Sequence, residues 1–309
     1  MTANFRLWAA LVLVVVCGFA LRTHKALQIE NYPHDDQISY LAASGKLDDY
    51  MRFMPAAGQL RTAPAAEWQA FTHADAGQGA VQAVREISQS LQQQDIHPPL
   101  YFVWLRGVVS VLPELSPVTG WFSNTPFYLA TAFLLFLVAR RLLRNPLTAV
   151  LATGIWCCGV AAIETSIVAR HYEILTFFTL ASTLYLLWLL DTGKAGPLVL
   201  LGYGVIATLG FLANYQFLYH LGALSLVILL AEYRRPARVL LFAAVTLLAL
   251  GVALALYPAL LQQSTEVAGW SPAITWPDLQ FRIKNTLEEV LKFCAIGSLL
   301  LVFVLAKRR

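Results

Sequence analysis

PLYFVWLRGVVSVLP, residues 99–113, is an apolar stretch of fifteen residues with Arg106 at its centre. Whether it crosses a membrane decides the layout of the whole chain. A spanning helix needs roughly 20 mainly apolar residues, so this stretch is short for the task. Better candidates are 6–27, 125–142, 147–163, 172–190, 197–213, 215–231, 238–260 and 291–306. Basic residues concentrate on the cytoplasmic side of membrane helices, and the basic clusters here are Arg140-Arg141-Arg144, Arg234-Arg235-Arg238 and Lys307-Arg308-Arg309. If 99–113 crosses, all three clusters fall outside. If it lies along the outer interface or re-enters, they fall inside, together with Arg6 and Lys194. The second layout is favoured. It predicts an all-α polytopic membrane protein of about eight transmembrane helices with both termini inside. Arg22 and Lys25 violate the rule, and a bound anionic group would account for them.

Composition agrees with a membrane protein. Of the 309 residues, 58% are hydrophobic and 13% charged, and the mean hydropathy is +0.61. Soluble domains carry about 25% charged residues. The net charge of +4 is small and sits in short clusters beside apolar runs, a pattern of membrane anchoring that gives no nucleic-acid patch. Cys17, Cys157, Cys158 and Cys294 all lie in apolar runs, and none has metal-site or disulfide-framework spacing. The N-terminal run, Leu7 to Leu21, is followed by Arg22, His24 and Lys25 without a small-residue cleavage site. It reads as an uncleaved first span.

The chain is therefore expected to form a single membrane domain, 1–309, with outer loops at 28–98 and 261–290. Residues 28–98 hold nine Asp/Glu and four Lys/Arg, which suits a translocated segment. Amphipathic juxtamembrane helices are expected there at 37–52 and 79–94.

Four polar groupings stand at the outer ends of the spans. His34-Asp35-Asp36 with Tyr40 opens the loop. An aspartate there is a natural helix N-cap, but carboxylates at a membrane surface also suit a general base whose pKa is tuned by partial desolvation. Asp95-Ile96-His97-Pro98-Pro99 closes the loop, and the prolines present His97 at the mouth of the interfacial helix. Glu164 and Arg170-His171-Tyr172-Glu173 fall on a tight outer turn. Arg170 is expected either to pair with Glu164 or Glu173, or to hold a phosphate. Asn214, Tyr215 and His220 mark the next outer turn, where interhelical hydrogen bonding is the plainer expectation.

The order of these motifs carries a resemblance. A first span, an acidic pair with a downstream Tyr, "HPPLYF", "ARRLLRNP", "VARHYEILTFF" and "NYQF" together resemble the GT-C superfamily of membrane glycosyltransferases. The branch is the family 39-like one, which includes protein O-mannosyltransferases and the aminoarabinose transferase of lipid A. The likeness covers about residues 5–231. It implies a GT-C-like bundle and an inverting glycosyltransferase that takes a sugar from a polyprenyl-phosphate donor. The acceptor would be a lipid, glycan or protein on the extracytoplasmic side. It further implies a catalytic carboxylate at Asp36, with Asp35 a close second. Donor or substrate contacts would come from His97, Arg170, Tyr172, Tyr40, Glu164, Asn214 and Tyr215. The expected location is a bacterial inner membrane, with the site facing the periplasm or cell exterior and membrane lipids as neighbours. A divalent cation, Mg²⁺ or Mn²⁺, has a weak footing in the two aspartates, and no dedicated metal site is expected. The sequence departs from the family in having no arginine where the second span starts and Asn214 where the family has His. A non-catalytic transporter, flippase or partner subunit for lipid-linked sugars is the alternative. An O-antigen-type polymerase or ligase is a third reading, although such enzymes usually lack an acidic pair straight after the first span.

Overall fold

Twelve helices and no strands make up the described part of the chain, which in this computed structural model is residues 3–30, 34–54, 71, 79–94, 97–112, 117–192 and 196–259. The expected span 291–306, the loop 261–290, Asp95, Lys194, Cys294 and Lys307-Arg308-Arg309 lie outside the described residues. All described residues belong to one unit, Met1–Leu261.

In chain order the helices are α1 (Ala3–Leu27), α2 (His34–Ser44), α3 (Leu47–Phe53), α4 (Ala80–Gln94), α5 (Leu100–Val111), α6 (Pro117–Leu143), α7 (Pro146–Cys158), α8 (Val160–Ile167), α9 (Tyr172–Thr192), α10 (Pro197–Ala213), α11 (Phe217–Glu232) and α12 (Pro236–Leu256). Four of them are long and apolar enough to cross a membrane: Phe5–Leu27 within α1, Val118–Leu143 within α6, α9 and α12. The pair α7–α8 passes as one bent span, while α10 and α11 are apolar but shorter. This chain is a helical membrane protein.

Three expectations about elements are corrected. The helix expected at 37–52 breaks at Gly45, whose φ of +74° is the left-handed conformation glycine adopts without penalty. The Lys46 amide donates to the Leu41 carbonyl and the Gly45 amide to Ala42, the paired bonds of a Schellman stop. The straight span expected at 147–163 is bent by 56° between Cys158 and Val160. Gly159 there is extended, capping α7 at its C-terminus and α8 at its N-terminus. The second span begins earlier than 125, because Pro117 starts the helix and Pro126 is accommodated inside it.

The stretch 99–113 forms α5, whose twelve residues rise only about 18 Å, against a hydrocarbon core of about 30 Å. Its buried residues are Tyr101, Phe102, Leu105 and Val109. Phe102 joins Leu41, Leu47, Ile87 and Leu91 in a small core shared by α2, α3, α4 and α5. Helix α4 contributes Ala83, Ile87 and Leu91 at a spacing of four residues, a single helical stripe. Ser90 Oγ donates to Asp48 Oδ1 at 3.1 Å and ties α4 to α3.

Arg141 at the end of α6 pairs with Asp191 at the end of α9. Leu189 and Leu190 share a small cavity with Glu232 and Arg238. Both described basic clusters, Arg140-Arg141-Arg144 and Arg234-Arg235-Arg238, therefore stand at one end of the bundle. The starts of α6 and α9 and the end of α10 stand at the other.

Candidate functional site

The non-basic end of the bundle brings together members of all four polar groupings, though not Glu164 or His220. Arg170 lies on the extended crossing between α8 and α9, with Val168 at φ −82°, ψ 148°. Two contacts hold that crossing in place. Asn124 of α6, itself buried, donates from Nδ2 to the carbonyls of Ser166 at 3.0 Å and Val168 at 2.7 Å. Gly120 of α6 lets the crossing come close, since a Cβ at 120 would stand 2.9 Å from both the Ala169 amide nitrogen and the Tyr40 hydroxyl.

Helix α2 starts at His34, so Asp35 and Asp36 are in its first turn. They point to different environments. Asp35 is exposed and its Oδ2 lies 2.9 Å from Arg170 Nη2. Asp36 is 2% exposed. It accepts a hydrogen bond from the Ala169 backbone amide, while its Oδ1 has no partner. Burial is the main cause that pushes the Asp36 carboxyl up to about 6; the Ala169 amide and Arg170 oppose the rise, and Asp35 adds to it.

Arg170 is 7% exposed. Its Nε and Nη1 have no hydrogen-bond partner. A buried donor without a partner costs about 1–3 kcal/mol, so these two nitrogens leave donor capacity on Arg170 that no protein group uses. The expected pairing of Arg170 with Glu164 or Glu173 is not found. Glu164 is exposed on α8, and Glu173 is buried and interacts electrostatically with Arg22.

The His97 and His171 rings pack at a tilt of 37° with centroids 4.7 Å apart. Tyr215 continues this group at 6.3 Å from His97, and Tyr172 flanks His171 at 5.0 Å. Tyr101, fully buried, is close enough to Asp36 and Arg170 to feel both charges, and its hydroxyl is 3.3 Å from Ser123 Oγ. Tyr40 is buried within the same core as Tyr101 and Ala169. Asn214 is buried, and its Oδ1 accepts from the Gln216 amide at 2.7 Å, so its side chain shapes the turn between α10 and α11. His220 meets Ser182 at 2.9 Å across α9 and α11, the interhelical role expected of it.

Sequence reasoning missed the part played by Arg22. Protein groups surround it, and of its nitrogens Nη2 alone has no partner. Arg22 is fully buried, donates to Ser166 Oγ at 2.6 Å and to the carbonyls of Gly18 and Cys157, and lies over the rings of Tyr128 and Trp156. The reason is the helix break. Carbonyls freed beside Gly159 have no water to turn to in a bilayer, and the guanidinium serves the one at Cys157. A lone glycine, Gly159, inside an apolar run, together with an arginine in the first span, was the available signal. Ser123, Asn124 and Gly120 were also missed, because their roles depend on tertiary contacts.

Among the described residues no group of three or more His, Cys, Asp or Glu could hold a metal ion. Comparison with family models, curated proteins and solved structures gave no match.

Proposed function

We propose that this chain is an inverting glycosyltransferase of GT-C type, with eight membrane spans. It moves a sugar from a polyprenyl-phosphate donor to an acceptor on the extracytoplasmic face of a bacterial inner membrane. The observation that carries the reading is a buried, half-partnered carboxylate, Asp36, within electrostatic reach of a buried, half-partnered guanidinium, Arg170. Asp36 has one free oxygen and a pKa near 6. Arg170 has two nitrogens, Nε and Nη1, without partners and reaches Asp35 with the third, Nη2.

These groups answer the two demands of the reaction. The acceptor O–H gives its proton to Asp36 as its oxygen forms a bond to the anomeric carbon. The bond from that carbon to the phosphate oxygen breaks, and the phosphate leaves with the electron pair. Its growing charge is met by Arg170. At pH 7 a carboxyl with a pKa near 6 is roughly nine-tenths ionised and ready to accept. One base with no opposed nucleophilic carboxylate among the described residues suits direct inversion; retention needs two carboxyl groups across the bond. A donor with its tail in lipid delivers its phosphate at the ends of the spans, where α9 begins. Asp36 is buried, so an acceptor reaches it when the side chains over α2 move aside.

The test is transfer from a polyprenyl-phosphate sugar in proteoliposomes. Asp36→Asn is expected to lower the rate by about 10²- to 10⁴-fold while insertion is unchanged. Full activity in Asp36→Asn, Asp35→Asn and the double variant would sink the proposal.

A second reading, a transporter or flippase of lipid-linked sugars, gains from one observation. Arg22 and Glu173 are buried charged residues on membrane helices, and such residues often mark a translocation path. Both lie within a few residues of helix ends, which weighs against it. Binding of the donor with no turnover in the same assay favours this reading over the first.

A further inference from the structure

At the basic end of the bundle, opposite the candidate site, a groove of about 750 Å³ opens between α6, α9 and α10. Its volume falls in the range of about 300–1,000 Å³ typical of small-molecule sites. The floor is apolar, with Leu134 and Leu137 from α6, Ala181 and Leu184 from α9, and Ile206 from α10. Its mouth holds Arg140, Arg141 and Trp188. From Leu134 to Arg141, and from Ala181 to Trp188, the helices rise about 10 Å. That is most of one leaflet's hydrocarbon depth, about 15 Å.

The two arginines differ. Arg141 is neutralised by Asp191, with Nη2 2.5 Å from Oδ2. Arg140 is exposed and has no carboxylate partner among the described residues. Arg144 adds a further positive charge one turn on. After Asp191 is counted, the mouth stays positive. An indole at headgroup depth is the usual membrane-interface anchor. Tyr185 lies back against Gly202, where a Cβ would come within 2.6 Å of the tyrosine hydroxyl, and this keeps its ring on the groove wall.

We propose that this groove is a binding site for one anionic phospholipid, with its phosphate at Arg140 and Arg141 and an acyl chain along Leu134, Leu137, Leu184 and Ile206. The fit is of charge and shape together: a cationic mouth over a hydrocarbon slot as deep as a lipid tail's upper half. The site does not depend on the proposed transferase activity.

Native mass spectrometry of the detergent-purified chain tests this. Phosphatidylglycerol and phosphatidylcholine with identical acyl chains are added in turn. The wild type is expected to retain one phosphatidylglycerol and to prefer it over phosphatidylcholine, whose choline cancels the phosphate charge, by about fivefold or more, the scale of one basic residue's attraction to a net-negative headgroup. Arg140→Gln should lose that preference, and Arg140→Lys should keep most of it. Ala181→Phe fills the slot and should lower retention of both lipids while leaving the thermal transition in place. Equal retention of the two lipids by the wild type overturns the proposal. So does an unchanged preference in Arg140→Gln. Loss in Arg140→Gln with full retention in Ala181→Phe also overturns it, because the arginine would then act as part of a diffuse basic ring.

Discussion

Asp36 and Arg170 are best judged by how each tunes the other. The folded protein holds the Asp36 proton more tightly than an ordinary aspartate does, because burial disfavours the charge. Two signed effects follow. Catalysis by the ionised carboxylate should rise with pH through about 6. Removing Arg170 as Arg170→Gln takes away an attraction and should move that limb to higher pH. Asp35→Asn removes a repulsion and should move it lower. A pH–rate profile of each variant checks the two directions. Stability runs the other way. A pKa raised in the folded state means stability is greatest below the unfolded value, near 3.8, and declines as pH rises to about 6. The shift corresponds to about 3 kcal/mol. Asp36→Asn should therefore match wild type at pH 4 and melt at a higher temperature at pH 7.5, as thermal unfolding in detergent would show. A stabilising loss of function is the mark of a group held at a cost for chemistry.

At the scale of elements, the bent pair α7–α8 and the crossing that follows it are held by buried polar contacts from α1 and α6. Arg22→Gln leaves the Cys157 carbonyl and Ser166 without their donor and should lower stability by about 3–5 kcal/mol, the loss typical of a broken buried charge network. Arg22→Lys should recover only part of this, since a point charge cannot reach Ser166, Gly18 and Cys157 at once. Gly18→Leu should be as harmful, because a Cβ there already stands 2.5 Å from the Tyr128 hydroxyl oxygen and 2.7 Å from the Cys157 carbonyl oxygen. Thermal transitions of these variants in a fixed detergent give the measurement. Sequence reading found the apolar runs but not the breaks inside them. Gly45 and Gly159 look alike in sequence, each a lone glycine in a helical pattern. One stops a helix by its positive φ, and the other is extended and depends on a guanidinium more than 130 residues away in the chain.

For the whole molecule, the decisive matter is which ends of the helices share a side. The structure sets Arg141 beside Asp191, and Arg238 beside Leu189 and Leu190, so the two basic clusters share one end, which either reading of 99–113 requires. The site was legible as a set of motifs, because Asp35, His97, Arg170 and Tyr215 each stood out at a helix boundary. Their meeting at the outer helix ends was also expected; the individual contacts were not legible, because they rest on where α2 and α5 fold back onto the bundle. Labelling single cysteines in a cysteine-free background tests the arrangement. Asp48→Cys should react with an impermeant maleimide from one side of sealed vesicles, and Arg144→Cys and Arg235→Cys from the other. Labelling of all three from the same side would mean that 99–113 crosses the membrane.

The guanidinium of Arg22 has a consequence for how the chain is made. Its partners at Cys157 and Ser166 are 135 and 144 residues downstream, so the ribosome releases α1 into the translocon long before either is synthesised. At about 5–20 residues per second, that charge waits on the order of ten seconds in a place where lipid cannot satisfy it. Until α8 is delivered the charge is solvated only by snorkelling toward the near end of α1 or by a wet or protein-lined compartment; the second predicts that nascent chains arrested before residue 166 crosslink through α1 to the insertion machinery.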